Sequence, residues 1–263
     1  MNVIVCMKQV PDTETLIKIK PDGSGIVTDD IKYVMNPYCE YAVEESLRIK
    51  EKFSGQSILI TMGTQRAVES LRTGLAMGAD RSIHLNDPAF EGADGFATAK
   101  VLAEVIKKET FDLILCGKQA VDDDMAQVGP SLAELLNLPH VTLITKLEIS
   151  ADKKKAKVER EVDGGKEVIE VGLPAVFTCQ KGLNEPRYAS LPGIMKAKKK
   201  EVKAINLAAS GLPADQVGGA GAKTKILKYI PPPSRLAGKV ITGEIVDVAK
   251  QLVKLLREEA KVI

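Results

Sequence analysis

The stretch FDLILCGKQAVDDDMAQVGPSLAELLNL, residues 111–138, decides the fold. Phe111 to Cys116 is a short, almost wholly apolar run, as a strand covered on both faces requires. Gly117 stops it, a polar loop follows, and Gly129-Pro130 leads into SLAELLNL, an apolar-periodic run that reads as a helix. The same order of strand, turn and helix recurs upstream. Asn2 to Met7 and Ser57 to Met62 read as buried strands, and Arg81 to Leu85 as a short one. Asn36 and Pro37 suit the cap and first position of a helix running to about Phe53, ended by Gly55. Ala67 to Met77, closed by Gly78, and Phe96 to Lys108 read as further helices, and Pro21-Asp22-Gly23 as the turn of a small hairpin. Strands alternating with helices of this length predict βαβ units in a parallel, doubly wound α/β sheet.

The pattern changes after Val141. Val141 to Ile149, Ala156 to Val162 and Lys166 to Val171 are joined by charged or glycine-containing turns, which predicts an antiparallel extension of the sheet. Leu173 to Cys179 returns to the core as a strand. It runs into a segment, Asn184 to Gly193, that Pro186 and Pro192 keep from being a continuous strand or helix. That segment and its end carry Tyr188, Leu191, Ile194 and Met195, followed by a basic run from Lys196 to Lys200. Two readings stay open for it: docked on a partner, or folded back on its own core. From Ala204 the chain becomes small and glycine-rich, as a linker or arm would be. Pro231 to Pro233 is stiff, and Glu244 to Glu259 is an amphipathic helix with Ile245, Val248, Leu252, Leu255 and Leu256 on one side. The expected organisation is a body over 1–203 and an arm plus C-terminal helix over 204–263.

Charge is close to balanced, with 37 Lys and Arg against 35 Asp and Glu, so no nucleic-acid binder driven by net charge is expected. Trp is absent and only 4% of residues are aromatic, which leaves no stacking platform for single-stranded nucleic acid. No apolar run is long enough to span a bilayer, and MNVIVCMKQV has no signal-peptide features, so a cytoplasmic protein is expected. The four cysteines (Cys6, Cys39, Cys116, Cys179) form no CxxC pair and read as reduced, buried hydrophobes. His84 and His140 have no ligand at metal-site spacing, so both read as structural. There is no Walker A motif, no GxGxxG and no GxSxG. The expected role is to bind rather than to cut or transfer a group.

In a doubly wound sheet ligands bind beyond the carboxyl ends of the strands at the switch in strand order. That rule selects Cys6-Met7-Lys8, Met62-Gly63-Thr64 and the loop from Gly117 to Pro130. The helix after Gly129-Pro130 would offer the free N–H groups of Ala126 to Gly129 to a phosphate. Asp122, Asp123 and Asp124 suit ribose hydroxyls, or form a solvated acidic turn. Together these features point to an adenine nucleotide.

Five motifs closely resemble the beta subunit of electron transfer flavoproteins. They are LNEPRYASLPGIMKAKK (Leu183 to Lys199), GKQAVDDDMAQVG (Gly117 to Gly129), MNPYCEYAVEESLRIKEK (Met35 to Lys52), TGLAMGADR (Thr73 to Arg81) and KVEREVDGG (Lys157 to Gly165). The resemblance covers nearly the whole chain and weakens after Ala204. It implies a heterodimer with an alpha subunit that holds most of the redox FAD, embraced by the beta subunit's C-terminal arm. It also implies an electron carrier rather than a stand-alone enzyme. Electrons would pass from acyl-CoA or similar dehydrogenases of fatty acid oxidation to a quinone-linked acceptor. Positions matching the family's nucleotide contacts are Cys6, Asn36, Pro37, Tyr38, Cys39, Met62 and the loop Ala120, Val121, Asp122, Asp123, Asp124, Met125, Ala126, Gln127, Val128 and Gly129. Tyr38 falls where the family has an aromatic near the alpha-bound flavin. Arg187, Tyr188, Leu191, Pro192, Ile194, Met195 and Lys196 match the partner-recognition loop, with Leu191 at its anchor.

Two family types differ in the nucleotide held: AMP in ordinary carriers, a second FAD in electron-bifurcating forms that oxidise NADH. Asp122 to Asp124 resembles the first type. Ala126 to Pro130 resembles the second, in which the middle Asp is usually Gly. Small residues in such loops mark close ligand approach, so a side chain at Asp123 favours AMP. A stand-alone nucleotide-binding regulatory domain is the third reading, and the apolar docking loop and long arm count against it.

Overall fold

The computed structural model describes residues 1–234 and 237–263, so residues 235 and 236 of the expected arm lie outside the described residues. In chain order the elements are β1 (Val3–Cys6), β2 (Gln9–Pro11), β3 (Tyr33–Met35), α1 (Pro37–Phe53), β4 (Ser57–Met62), α2 (Ala67–Met77), β5 (Arg81–Leu85), α3 (Gly95–Ile106), β6 (Leu113–Gly117) and α4 (Val128–Leu136). There follow β7 (His140–Ile149), β8 (Lys155–Val162), β9 (Gly165–Gly172), β10 (Ala175–Cys179), α5 (Leu191–Ala197), β11 (Val202–Ile205), α6 (Leu207–Ser210), α7 (Gly218–Gly221) and α8 (Ile245–Lys254).

Period-two alternation sorts the core into two layers. Val3 and Val5 of β1, Leu59 of β4, Leu113 and Leu115 of β6 and Phe177 of β10 face α1 and α2. Ile4, Cys6, Ile58, Ile60, Ile114, Cys116 and Val176 face α3 and α4 on the other side. Every residue of β1 and β10 is buried, which is why these strands read as unbroken apolar runs. Burying each such Val, Leu or Ile contributes about 1.5–3 kcal/mol, so the central strands hold the two helical layers together.

The nine-stranded sheet has the order β11-β5-β4-β1-β6-β10-β7-β8-β9. Pairs from β11 through β7 are parallel. The β7-β8 and β8-β9 pairs are antiparallel, the extension read from the charged turns. From β1 the chain winds outward through β4 to β5, then crosses back to β6 and β10 on the other side. The switch in direction therefore lies between β1 and β6.

Two segments differ from expectation. The segment after Pro186 is not a loop throughout: Leu191–Ala197 forms α5. Pro192 lies in its first turn, where a helix has no use for the missing N–H, and Ser190 caps it by accepting a hydrogen bond from Gly193 N at 3.1 Å. The expected boundary at 203 falls inside β11, which adds a parallel strand to β5. The glycine-rich stretch after it packs on the body, with Ser210 and Val217 fully buried. Lys223 N and Thr224 N donate to Asp94 Oδ2 at 2.7 and 2.9 Å, and Tyr229 N donates to Gly23 O at 2.9 Å. The residues of α8 are not buried; Ile245 is 86% exposed. No helix of the described residues is long and apolar enough to cross a membrane.

Candidate functional site

The switch point places the carboxyl ends of β1 and β6 side by side, with Cys6 opposite Cys116. Beyond Cys6 the chain makes the β2-β3 hairpin and returns, so Asn36 N donates to Lys8 O at 2.9 Å. This puts the start of α1 directly over the ends of both strands. Gly117 makes the approach possible. A Cβ there would lie 2.9 Å from Cys39 N and from the Tyr38 carbonyl carbon, both backbone atoms that cannot move aside.

Asn36 stands at the cap position of α1 but does not cap it. Its side chain is turned to the loop after β6: Nδ2 donates to Gln119 O at 2.8 Å, and Oδ1 accepts from Val121 N at 3.1 Å. Asn36 is 1% exposed, so these two bonds hold the loop through a buried amide. Lys118 lies over the Tyr38 ring at 5.2 Å, and Lys118 N donates to Cys179 O at 3.0 Å.

The outer part of the loop is organised by Lys8, the residue two beyond β1. Its Nζ donates to Asp122 Oδ1 at 2.8 Å and to Asp123 Oδ2 at 2.9 Å. Burial works against the ammonium, but the hydrogen bonds to Asp122 and Asp123 outweigh it and hold Lys8 above the usual lysine range. Asp123 also accepts from Met125 N at 3.1 Å, and Asp124 Oδ1 accepts from Gln119 Nε2 at 2.5 Å. Asp124 and Ala126 take positive φ angles of 51° and 53°. The loop then enters α4, whose first turn presses on the sheet. A Cβ on Gly129 would lie 2.5 Å from Thr178 Cγ2.

The structure thus brings Cys6, Asn36, Pro37, Tyr38, Cys39 and the loop from Ala120 to Gly129 together at the carboxyl ends of β1 and β6. Met62 ends β4 on the opposite flank of β1. All four thiols are buried and reduced. The hydrogen bond with Cys116, then burial, pushes the Cys6 thiol well above its usual range; burial does the same at Cys39 and Cys179. Cys6 and Cys116 lie in the core layer under α3 and α4, and Cys39 and Cys179 in the layer under α1 and α2, so all four serve as buried packing groups. His84 is buried with Nε2 3.0 Å from Gly63 O, a structural position.

Arg187 to Lys196 is not part of this crevice. It lies against the middle and end of α1 and the end of α2. Tyr188 is 97% exposed and Leu191 79%, with Ile194 and Met195 beside them. A Cβ on Gly193 would meet Ala76 O, so α5 sits hard against α2. Of the basic run, Lys200 is turned inward, its Nζ donating to Leu75 O at 3.0 Å and to Ala79 O. The sequence placed Lys8 at a strand end and Gln119 in the loop without a partner, and offered no role for Glu44 or Arg72. Lys8 alone had a readable signal, its position just past the carboxyl end of the central strand.

A sequence model of the electron transfer flavoprotein domain matches residues 24–210. The chain is 45% identical over its whole length to "Electron transfer flavoprotein subunit beta" of Bacillus subtilis, covering 100% of that protein. It is 44% identical to the human protein of the same name, over 93% of this chain and 94% of the relative. It is 42% identical to "Electron transfer flavoprotein subunit beta, mitochondrial" of Arabidopsis thaliana, covering 100% of both. With the domain match and the full-length correspondence in agreement, the chain belongs to the electron transfer flavoprotein family.

Proposed function

We propose that this chain is the beta-type half of a heterodimeric electron carrier. An alpha subunit holds most of the redox FAD, and acyl-CoA or similar dehydrogenases reduce it. A membrane quinone-linked oxidoreductase takes the electrons onward. In this reading the chain supplies docking and nucleotide-stabilised structure rather than bond-making groups. The observation that carries it is the exposed apolar surface of α5 and the segment leading into it, with Tyr188 before the helix and Leu191 and Met195 on it all more than half exposed. Such a surface needs a partner to cover it. The unburied apolar side of α8 fits an arm that embraces the alpha subunit.

The crevice residues suit an adenine nucleotide. The first turn of α4 offers N–H groups to a phosphate, and Tyr38 and Cys39 approach over Gly117. Asp123 is held on Lys8 by a hydrogen bond of 2.9 Å, and a side chain at this position narrows the space a second flavin would need. That supports AMP over a second FAD. The second reading, an electron-bifurcating flavoprotein half that oxidises NADH, rests on Ala126 to Pro130 and predicts rapid bleaching of the flavin by NADH.

The test is Leu191→Ala in the assembled heterodimer. Electron transfer from the dehydrogenase at limiting carrier concentration should weaken while flavin content stays intact. An unchanged rate would remove Leu191 as the anchor.

A further inference from the structure

The docking helix is clamped at both ends, and the clamp at its start runs through Arg187. Four hydrogen bonds leave its guanidinium: Nε to Glu44 Oε2 at 2.8 Å, Nη2 to Glu44 Oε1 at 3.0 Å, Nη1 to Glu51 Oε1 at 2.6 Å and Nη2 to Glu51 Oε2 at 3.2 Å. A fifth runs from its backbone N to Glu44 Oε2 at 3.1 Å. The Glu44 side chain is 3% exposed and also accepts from Arg48 Nε at 3.0 Å. Three residues earlier, Asn184 Nδ2 donates to Tyr41 O at 3.0 Å and to Glu45 Oε2 at 2.9 Å. At the far end Arg72 Nη1 donates to Ala197 O at 2.5 Å and to Lys200 O at 2.7 Å.

A planar guanidinium forked onto two carboxylates of one helix fixes direction as well as distance. Its partners occupy the groups that a free arginine would offer to an acidic docking partner. Between this clamp and α5 stand only Tyr188, Ala189 and Ser190, so the position of Arg187 sets where the exposed Tyr188 and Leu191 point. We infer that Arg187 is a positioning residue: through Glu44 and Glu51 of α1 it holds the apolar docking helix in its binding geometry before any partner arrives. A preordered segment loses less freedom on binding, so the clamp acts on encounter affinity and not on the electron-transfer step itself. The inference rests on the proposal that α5 docks a redox partner.

The experiment uses the purified heterodimer and an acyl-CoA dehydrogenase with its substrate. It compares Arg187→Met, Arg187→Lys, Glu51→Gln and Leu191→Ala, with hydrogen exchange followed across residues 184–200. Arg187→Met should raise KM for the carrier by about tenfold, with kcat and flavin content unchanged and faster exchange at 188–195. Arg187→Lys should recover part of the loss and Glu51→Gln should show less of it. These two milder changes keep the test open if Arg187→Met does not assemble. If Leu191→Ala raises KM and no Arg187 or Glu51 variant does, the clamp inference is overturned. If Leu191→Ala leaves KM unchanged, the docking proposal is what fails. Exchange at 188–195 then judges the clamp, which accelerated exchange upholds and unchanged exchange overturns.

Discussion

Gly129→Ala tests how tightly the candidate crevice is built. Gly129 lies in the first turn of α4, and its built Cβ would come 2.5 Å from Thr178 Cγ2, well inside any tolerated contact. Thr178 is 2% exposed and cannot simply rotate away. Its Oγ1 accepts from Leu143 N at 3.0 Å, so turning the methyl aside sacrifices that bond. Forcing one methyl into such a site costs about 1–3 kcal/mol. Each kcal/mol lowers the melting temperature by about 2–4 °C for a chain of this size. Thr178→Ser removes the offending methyl and keeps the hydroxyl; alone it should cost about 0.8 kcal/mol for the lost carbon. In the double variant the new Cβ fills the space left by the old methyl, so most of the loss should return. The coupling should be about 1–2 kcal/mol, within the range for residues in contact. The assay is thermal melting of the four heterodimers with the bound nucleotide measured in each. Strictly additive shifts, or a Gly129→Ala protein that melts like the parent, would refute the packing argument.

Two further expectations follow from the charged groups. Lys8→Met removes both bonds to Asp122 and Asp123. These pairs are partly exposed and are worth about 0.2–1 kcal/mol each, so melting should fall only slightly while nucleotide retention falls clearly; retention at the parent level would contradict the role given to Lys8. The second concerns acid. Burial would raise the Glu44 carboxyl, but the hydrogen bonds from Arg187 and Arg48 win and hold it below the ordinary value of 4.5. A carboxyl depressed in the folded state stabilises it above the unfolded pKa and loses that contribution as pH falls through the folded pKa. Protection of residues 184–190 against hydrogen exchange should therefore hold at neutral pH and fall below about 4.5, ahead of α3. Protection that survives acid in step with α3 would count against the clamp.

Much of the fold was legible because burial writes directly into residue type. The strands β1, β4, β6 and β10 are covered on both faces, and their apolar runs and the helices between them imposed a parallel sheet with a switch beyond Cys6 and Gly117. Helix α5 was not legible because Pro192 reads as a breaker by residue type, whereas in a first turn it removes no needed donor. Strand β11 was hidden for a different reason: it is a short edge strand in which Lys203 and Ala204 are exposed, so it carries no apolar run. Topology put the strand ends and their loop side by side, but the hydrogen bonds between them were not legible. Lys8 meets Asp122 across 114 residues and Arg187 meets Glu44 across 143, separations that only the finished sheet closes. Asn36 was legible as a cap by residue type, yet its buried amide bonds the partly buried Gln119–Val121 loop backbone instead.

The proposal that most needs a direct test is that Asp123, held on Lys8, favours AMP over a second FAD. The direct measurement is to denature the purified heterodimer and quantify the nucleotides released. One FAD and one AMP per dimer is the predicted result. Two flavins and no AMP would contradict it and assign the crevice to a second FAD.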